Sequence, residues 1–197
     1  MKRTFLAVIC VLAMAFTANA QDFAALKNDA NKAMAAKDYT TALDAYKKAE
    51  AAMPAEVDAT IYFNAGYSAY KTKKYDEAAS YFDKAAENNY KACKALDLKV
   101  ASLKKAKKMD EVYKACEAGI EKCPKSRTMV HTLSSKYYKQ GAKIVKKANQ
   151  MQADPKQIEA AKAEAKKAIP LLEKALEIEP NNSSAKTLLD NVQQMIK

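Results

Sequence analysis

His131 is the single histidine among 197 residues, so a histidine-based triad or a multi-histidine metal site has no material to be built from. Three scattered glycines supply no loop that could cradle a phosphate. Aspartate and glutamate are plentiful, but they fall on helix faces and caps without a spacing that pairs two of them for acid–base work. The residues therefore predict no enzyme, no metal site and no cofactor. The chemistry that remains belongs to sulfur and to ammonium groups. Cys116 and Cys123 are seven positions apart, about 10.5 Å along one helix, which is too far for a disulfide. Lysines interleaved with tyrosines suit another task, because ammonium donors hold carboxylates while aromatic bodies pack on apolar side chains.

The elements that position these groups are helices. Only 3 Gly and 5 Pro occur and there is no Trp, while alanine and lysine dominate. Many strong helix formers and few breakers predict an all-α protein. The first twenty residues stand apart. Lys2 and Arg3 precede the apolar run from Phe5 to Phe16, and Ala18-Asn19-Ala20 supplies the small-residue pattern of a signal-peptidase site. This predicts a signal peptide over 1–20 and a mature domain over 21–197, exported, soluble and periplasmic or otherwise associated with the cell envelope. The apolar run is too short for a permanent anchor, and Cys10, preceded by Ile9, does not fit a lipoprotein. Removing Lys2 and Arg3 lowers the formal charge from +11 to +9. A basic domain commonly points to nucleic acid. Export redirects that expectation to acidic protein segments or anionic envelope polymers, or to nothing more than solvated helix faces.

Sliding the chain along itself reveals a repeat. Tyr39, Ala42, Tyr46, Ala49 and Pro54 recur as Tyr75, Ala78, Phe82, Ala85 and Tyr90, then more weakly as Met109, Val112, Cys116, Gly119 and Pro124. A fourth copy keeps Ala168, Leu172, Ala175 and Pro180. Small residues let two helices approach closely, a larger one fills the space between them, and a terminal proline stops the second helix. Ahead of each such helix lies another, as in ATIYFNAGYSAYK over 59–71, with Tyr62, Ala65, Gly66 and Ala69 at helical spacing. Each unit is a helical hairpin that buries its apolar face only by stacking on a neighbour.

This pattern resembles the tetratricopeptide repeat (TPR) family, most closely at Gly66, Tyr75, Ala78, Phe82 and Ala85. The resemblance implies a right-handed α-solenoid of about four hairpins, over about 23–56, 59–92, 93–126 and 127–182, closed by a capping helix over 183–197. The fourth hairpin carries about 22 extra residues, which predicts an elongated pair of helices, with Pro170 kinking the second. Leu188, Leu189, Val192 and Ile196 of the last helix are expected to cover the end of the stack. In the third hairpin Cys93 begins the first helix and Cys123 ends the second. Antiparallel packing makes those ends neighbours, which predicts a Cys93–Cys123 disulfide with Cys116 left in the core; three reduced core thiols are the alternative.

The resemblance also implies a non-catalytic scaffold whose first helices line a groove for a protein or peptide. Here that groove would draw on Lys27, Asn31, Phe63, Asn64, Tyr67, Tyr70, Lys94, His131 and Tyr138. Lys27, Asn31, Asn64 and Lys94 match four of five positions with which some family members clamp a free C-terminal carboxylate, and Leu98 stands where the fifth, an arginine, is expected. An acidic segment with apolar side chains is the expected ligand, and nucleic acid is not expected. Adhesion to an anionic envelope surface through the lysine faces and self-assembly into a structural component remain the alternatives, with oligomeric state open.

Overall fold

The computed structural model describes residues 22–197; the expected signal peptide over 1–20 and its cleavage site at Gln21 lie outside the described residues. No strand occurs among the described residues. The chain forms two compact bodies, one ending at Met109 and one beginning at Asp110.

The N-terminal body runs through α1 (22–35), α2 (Tyr39–Ala51), α3 (Ala59–Lys71), α4 (Tyr75–Glu87) and α5 (Ala92–Lys105). Consecutive helices from α2 to α5 pack on one another. Asp38 and Asp58 cap α2 and α3, their carboxylates accepting from the N–H groups of Thr41 and Thr60 at 3.1 Å each. The tight turns after α1, α3 and α5 share one device. Lys37, Lys73 and Lys107 adopt left-handed φ of 61°, 62° and 61°, and the next N–H reaches back to Ala33, Ala69 and Leu103 at 3.0, 2.9 and 3.0 Å. This satisfies carbonyls that a helix end would otherwise leave open. These three lysines recur at the interval of the repeat.

The core follows the pattern of small against large. Leu43, Tyr46, Ile61 and Phe82 are fully buried among Ala30, Ala42, Ala49, Ala65, Ala69, Ala78 and Ala85. Gly66 is the point of closest approach, since a Cβ there would meet the Phe82 ring at 3.0–3.2 Å. Phe63, one turn before Gly66 on α3, packs edge-on against the same ring, centroids 5.7 Å apart. On the far side of the hairpins Glu50 of α2 accepts from Tyr81 Oη at 2.8 Å and Lys84 Nζ at 2.6 Å on α4. Burial, and then the bond to Glu50, push the Tyr81 hydroxyl far above the usual phenol range.

The C-terminal body holds α6 (Met109–Lys122), α7 (Arg127–Met151), α8 (Ile158–Lys166), α9 (Ile169–Ile178) and α10 (Ser183–Met195). Cys116 is fully buried in α6 beside Val112 and Gly119. At 25 residues, α7 is the extended arm that the extra sequence requires. Its return arm is not one kinked helix. α8 ends at Lys166 and α9 restarts at Ile169 with Pro170 in its first turn, where the missing N–H has no partner to lose. Asp154 caps the 3₁₀ turn between α7 and α8 (Pro155–Gln157) through the Lys156 N–H at 3.0 Å. Val145, Ala148, Ala165, Ala168 and Leu172 form the seam between the arms, and Leu172 lies over Gly141, 2.9 Å from where a Cβ would stand. α10 packs on α7, α8 and α9, burying Val192 and half-burying Leu188, Leu189 and Ile196 on this seam.

Phe82→Ala is expected to remove about 3–5 kcal/mol of stability, because a fully buried ring leaves a cavity beside Gly66 that rigid helices cannot collapse to fill. Urea unfolding followed by circular dichroism measures it; a loss below about 1 kcal/mol would contradict this packing.

Candidate functional site

Seven of the nine residues expected to line a groove lie in the N-terminal body: Lys27 and Asn31 on α1, Phe63, Asn64, Tyr67 and Tyr70 on α3, and Lys94 on α5. Helical spacing brings Phe63, Tyr67 and Tyr70 onto one face of α3, each half-buried. Every ring on that face has an aromatic partner set edge-on. Phe63 meets Tyr90 at 5.7 Å, Tyr67 meets Tyr39 at 5.9 Å, and Tyr70 meets Tyr75 at 5.6 Å. Two lysines roof this row. Lys71 Nζ lies 5.8 and 5.2 Å from the Tyr39 and Tyr67 centroids, and Lys91 Nζ lies 5.1 and 5.3 Å from those of Phe63 and Tyr90. Ammonium groups over ring faces gain electrostatic attraction while keeping donors free for a ligand.

The polar groups of the expected clamp are engaged inside the fold. Lys27 forms an ion pair with Asp58, the cap of α3. Asn31 Oδ1 accepts from Tyr46 Oη at 2.7 Å, and Asn64 bonds the same hydroxyl. Burial pushes the Tyr46 hydroxyl above its ordinary value, and the Asn64 bond partly offsets that rise. Lys27, Asn31 and Asn64 thus fasten α1, α2 and α3 to one another. Lys94 is exposed on α5.

Beside Asp58 a cavity of about 520 Å³ opens among Phe23, Pro54, Val57 and Tyr90, with Asn88 and Asn89 on its rim. Asp58, Tyr46, Tyr90 and Lys91 are the participants that sequence reasoning did not select. Asp58 is legible as a cap from its place before Thr60. Its pairing with Lys27 joins residues 31 positions apart, and no local pattern encodes that.

The remaining two expected residues lie on α7 of the C-terminal body. His131 is exposed, and its Nδ1 stands 3.2 Å from Glu179 Oε1. Tyr138 faces the start of α10 and lines a cavity of about 340 Å³ with Ser183, Ser184, Thr187, Leu188 and Asn191. Leu188 and Asn191 also line a second cavity of about 410 Å³ with Val145, Asn149, Gln152 and Met195. The two make one cleft between α7 and α10, lined by amides and hydroxyls over an apolar floor. No cluster of His, Cys, Asp or Glu suited to a metal ion occurs among the described residues.

Stacked helical hairpins with an aromatic and cationic inner-helix face define a helical-repeat protein. Residues 59–92 match the tetratricopeptide repeat model, the segment in which Gly66 meets Phe82, and the chain carries a tetratricopeptide repeat there. A TPR repeats protein from Bacteroides fragilis is similar in structure, with 26% identity, a TM-score of 0.56, and coverage of 89% of this chain and 99% of that one. The second TPR domain of human RPAP3, solved with an HSP70 peptide, is 21% identical over 59% of this chain and 96% of that chain, with a TM-score of 0.48. Protein unc-45 homolog B of Xenopus laevis is 31% identical over 119 residues, which are 58% of this chain and 13% of that protein.

Burial alone would raise the Asp58 carboxyl, but the bonds from Lys27 and Thr60 outweigh it and hold the group below its ordinary range. A depressed carboxyl contributes stability above its unfolded value of about 3.9, and that contribution is lost as pH falls through the folded value. Asp58→Asn keeps a capping side chain but gives up the charge, so it is expected to cost up to about 1 kcal/mol at neutral pH. The difference from the parent should shrink below about pH 4. Unfolding at several pH values checks this, and a difference that stays constant down to low pH would rule out the ion pair as its source.

Proposed function

We propose that the protein is a non-catalytic scaffold that holds an extended, acidic segment of a partner protein against the α1–α3–α5 face of the N-terminal body. The observation that carries this reading is the row Phe63, Tyr67 and Tyr70, half-buried and roofed by Lys71 and Lys91. Rings already fixed by edge-on neighbours offer contact area at little further entropic cost. Ammonium groups above them select carboxylates and steer their approach. Lys94 extends the positive line onto α5. A partner's terminal carboxylate would reach Lys27 only by displacing Asp58, so side-chain carboxylates on Lys71, Lys91 and Lys94 are the favoured contacts. In the C-terminal body the cleft lined by Tyr138, Asn149 and Asn191 is a second candidate surface, whose amides suit a peptide main chain. His131 stands outside it, held by Glu179.

The cell envelope is the proposed location, supported by Lys2 and Arg3, the apolar run that follows, and Ala18-Asn19-Ala20. No helix among the described residues is long and apolar enough to cross a membrane. In an oxidising compartment a Cys93–Cys123 disulfide, closing a loop of about 30 residues, would add about 3–4 kcal/mol.

Two measurements test this reading. Titration of a fluorescent Glu-rich peptide with interspersed Phe and Leu should show saturable binding that Lys71→Glu/Lys94→Glu weakens at least about tenfold, while an equally long Lys-rich peptide does not bind. Unchanged affinity in the double variant would remove this face from the account. For the disulfide, thiol titration of the denatured, unreduced mature chain should find one thiol, from Cys116, and three after reduction. Three before reduction refutes the bond.

A further inference from the structure

We propose that the α7–α8 hairpin of the C-terminal body is a docking surface for an anionic lipid bilayer, formed by a lysine stripe that the fold leaves electrically uncompensated. The inference is independent of the peptide reading above. From 110 to 197 the chain has sixteen Lys and Arg against eleven Asp and Glu, a net charge of +5. The segment 139–167 alone has eight Lys against three acids, again +5. The hairpin therefore carries the whole net charge of this body, and the rest of it is balanced.

The three carboxylates of the segment are spent in ways that leave most lysines unpaired. Glu164 takes Lys147 at 2.9 Å and Lys167 at 2.6 Å. Glu159 takes Lys162 at 3.3 Å, and Asp154 caps the connecting turn. Lys139, Lys143, Lys146, Lys156 and Lys166 are exposed and have no ion pair among the described residues. Steps of four and three place Lys139, Lys143 and Lys146 on one face of α7, opposite the buried Gly141, Val145 and Ala148. They lie within about 10 Å of one another along the axis, about one screening length at 0.1 M salt, so they repel one another with nothing in the fold to offset it.

Three features favour a bilayer over a soluble polyanion. The segment contains no arginine, and lysines act as point charges that respond to a diffuse surface potential rather than forks that grip individual anions. The stripe sits on the outward face of a helix, and neither cavity beside α10 includes any of its lysines. At the turn, next to Gln157 and two positions from Lys156, Ile158 is 39% exposed, one of three large apolar side chains so exposed among the described residues. An apolar side chain beside lysines gains by entering the headgroup region, whereas a hydrated polymer offers it nothing.

The test is co-sedimentation of the chain from Gln21 onward with phosphatidylcholine vesicles, with and without one third phosphatidylglycerol. The expected result is binding to the anionic vesicles alone, released by added salt. Lys139→Gln/Lys143→Gln/Lys146→Gln should weaken it roughly tenfold or more, with helicity unchanged by circular dichroism. Lys114→Gln/Lys125→Gln/Lys186→Gln, which removes as much charge outside the hairpin, should change it little. Ile158→Ser should weaken it further in the parent background. Equal loss from both triple variants, or equal binding to neutral vesicles, overturns the proposal. So does tight binding to soluble polyglutamate with none to vesicles, which would make the stripe a site for an anionic polymer.

Discussion

Phe82 crosses Gly66 so closely that a Cβ there would meet its ring at 3.0–3.2 Å, and the rest of the N-terminal body is arranged around that contact. Because the ring lies where a side chain would otherwise stand, α3 and α4 sit close enough for Ala65, Ala69, Ala78 and Ala85 to be fully buried without bulk of their own. Leu172 lies over Gly141 on the same principle in the C-terminal body, joining α7 to α9. A hairpin closed with such small residues has little apolar area per residue, so larger groups such as Tyr46 and Ile61 must anchor neighbouring helices together.

That economy shapes the functional face. With α3 drawn against α4 through Gly66, the adjoining face of α3 carries rings instead of alanines, set against Tyr39, Tyr75 and Tyr90. Phe63 belongs to both sides, touching Phe82 within the core and Tyr90 at the surface. The polar residues around the rings divide by role. Lys27, Asn31 and Asn64 are occupied in joining helices, whereas Lys71, Lys91 and Lys94 point their charge outward. A face built this way recognises its ligand with groups that the fold does not need for itself.

How much of this was legible in the sequence depends on the range of each interaction. Gly66 and Phe82 are separated by one turn and parts of two helices, so their pairing is written in a local repeat, and the match over 59–92 reads it too. The buried alanines, the caps at Asp58 and Asp154, the long α7 and the amphipathic α10 follow from local spacing. The Lys27–Asp58 pair and the Tyr46 hydroxyl shared by two asparagines do not, because each depends on where one helix places a side chain relative to another. A carboxylate clamp can be read from residue types alone; only the geometry reveals that an internal carboxylate and a tyrosine already hold its members. The break before α9 belongs to the same class: Pro170 marks the place, but whether the helix bends or restarts is decided by packing on α7.

The central claim is that ligand contacts fall on the outward lysines and rings of α3 and the start of α5, with the interhelical polar groups left in place. Amide and aromatic chemical-shift mapping during titration with a Glu-rich peptide tests it most directly. The account predicts progressive shifts at Phe63, Tyr67, Tyr70, Lys71, Lys91 and Lys94, with the Tyr46 hydroxyl environment unchanged. Shifts confined to the Glu50–Tyr81–Lys84 side of the hairpins, or loss of the Tyr46 bonds to Asn31 and Asn64 on binding, would contradict it.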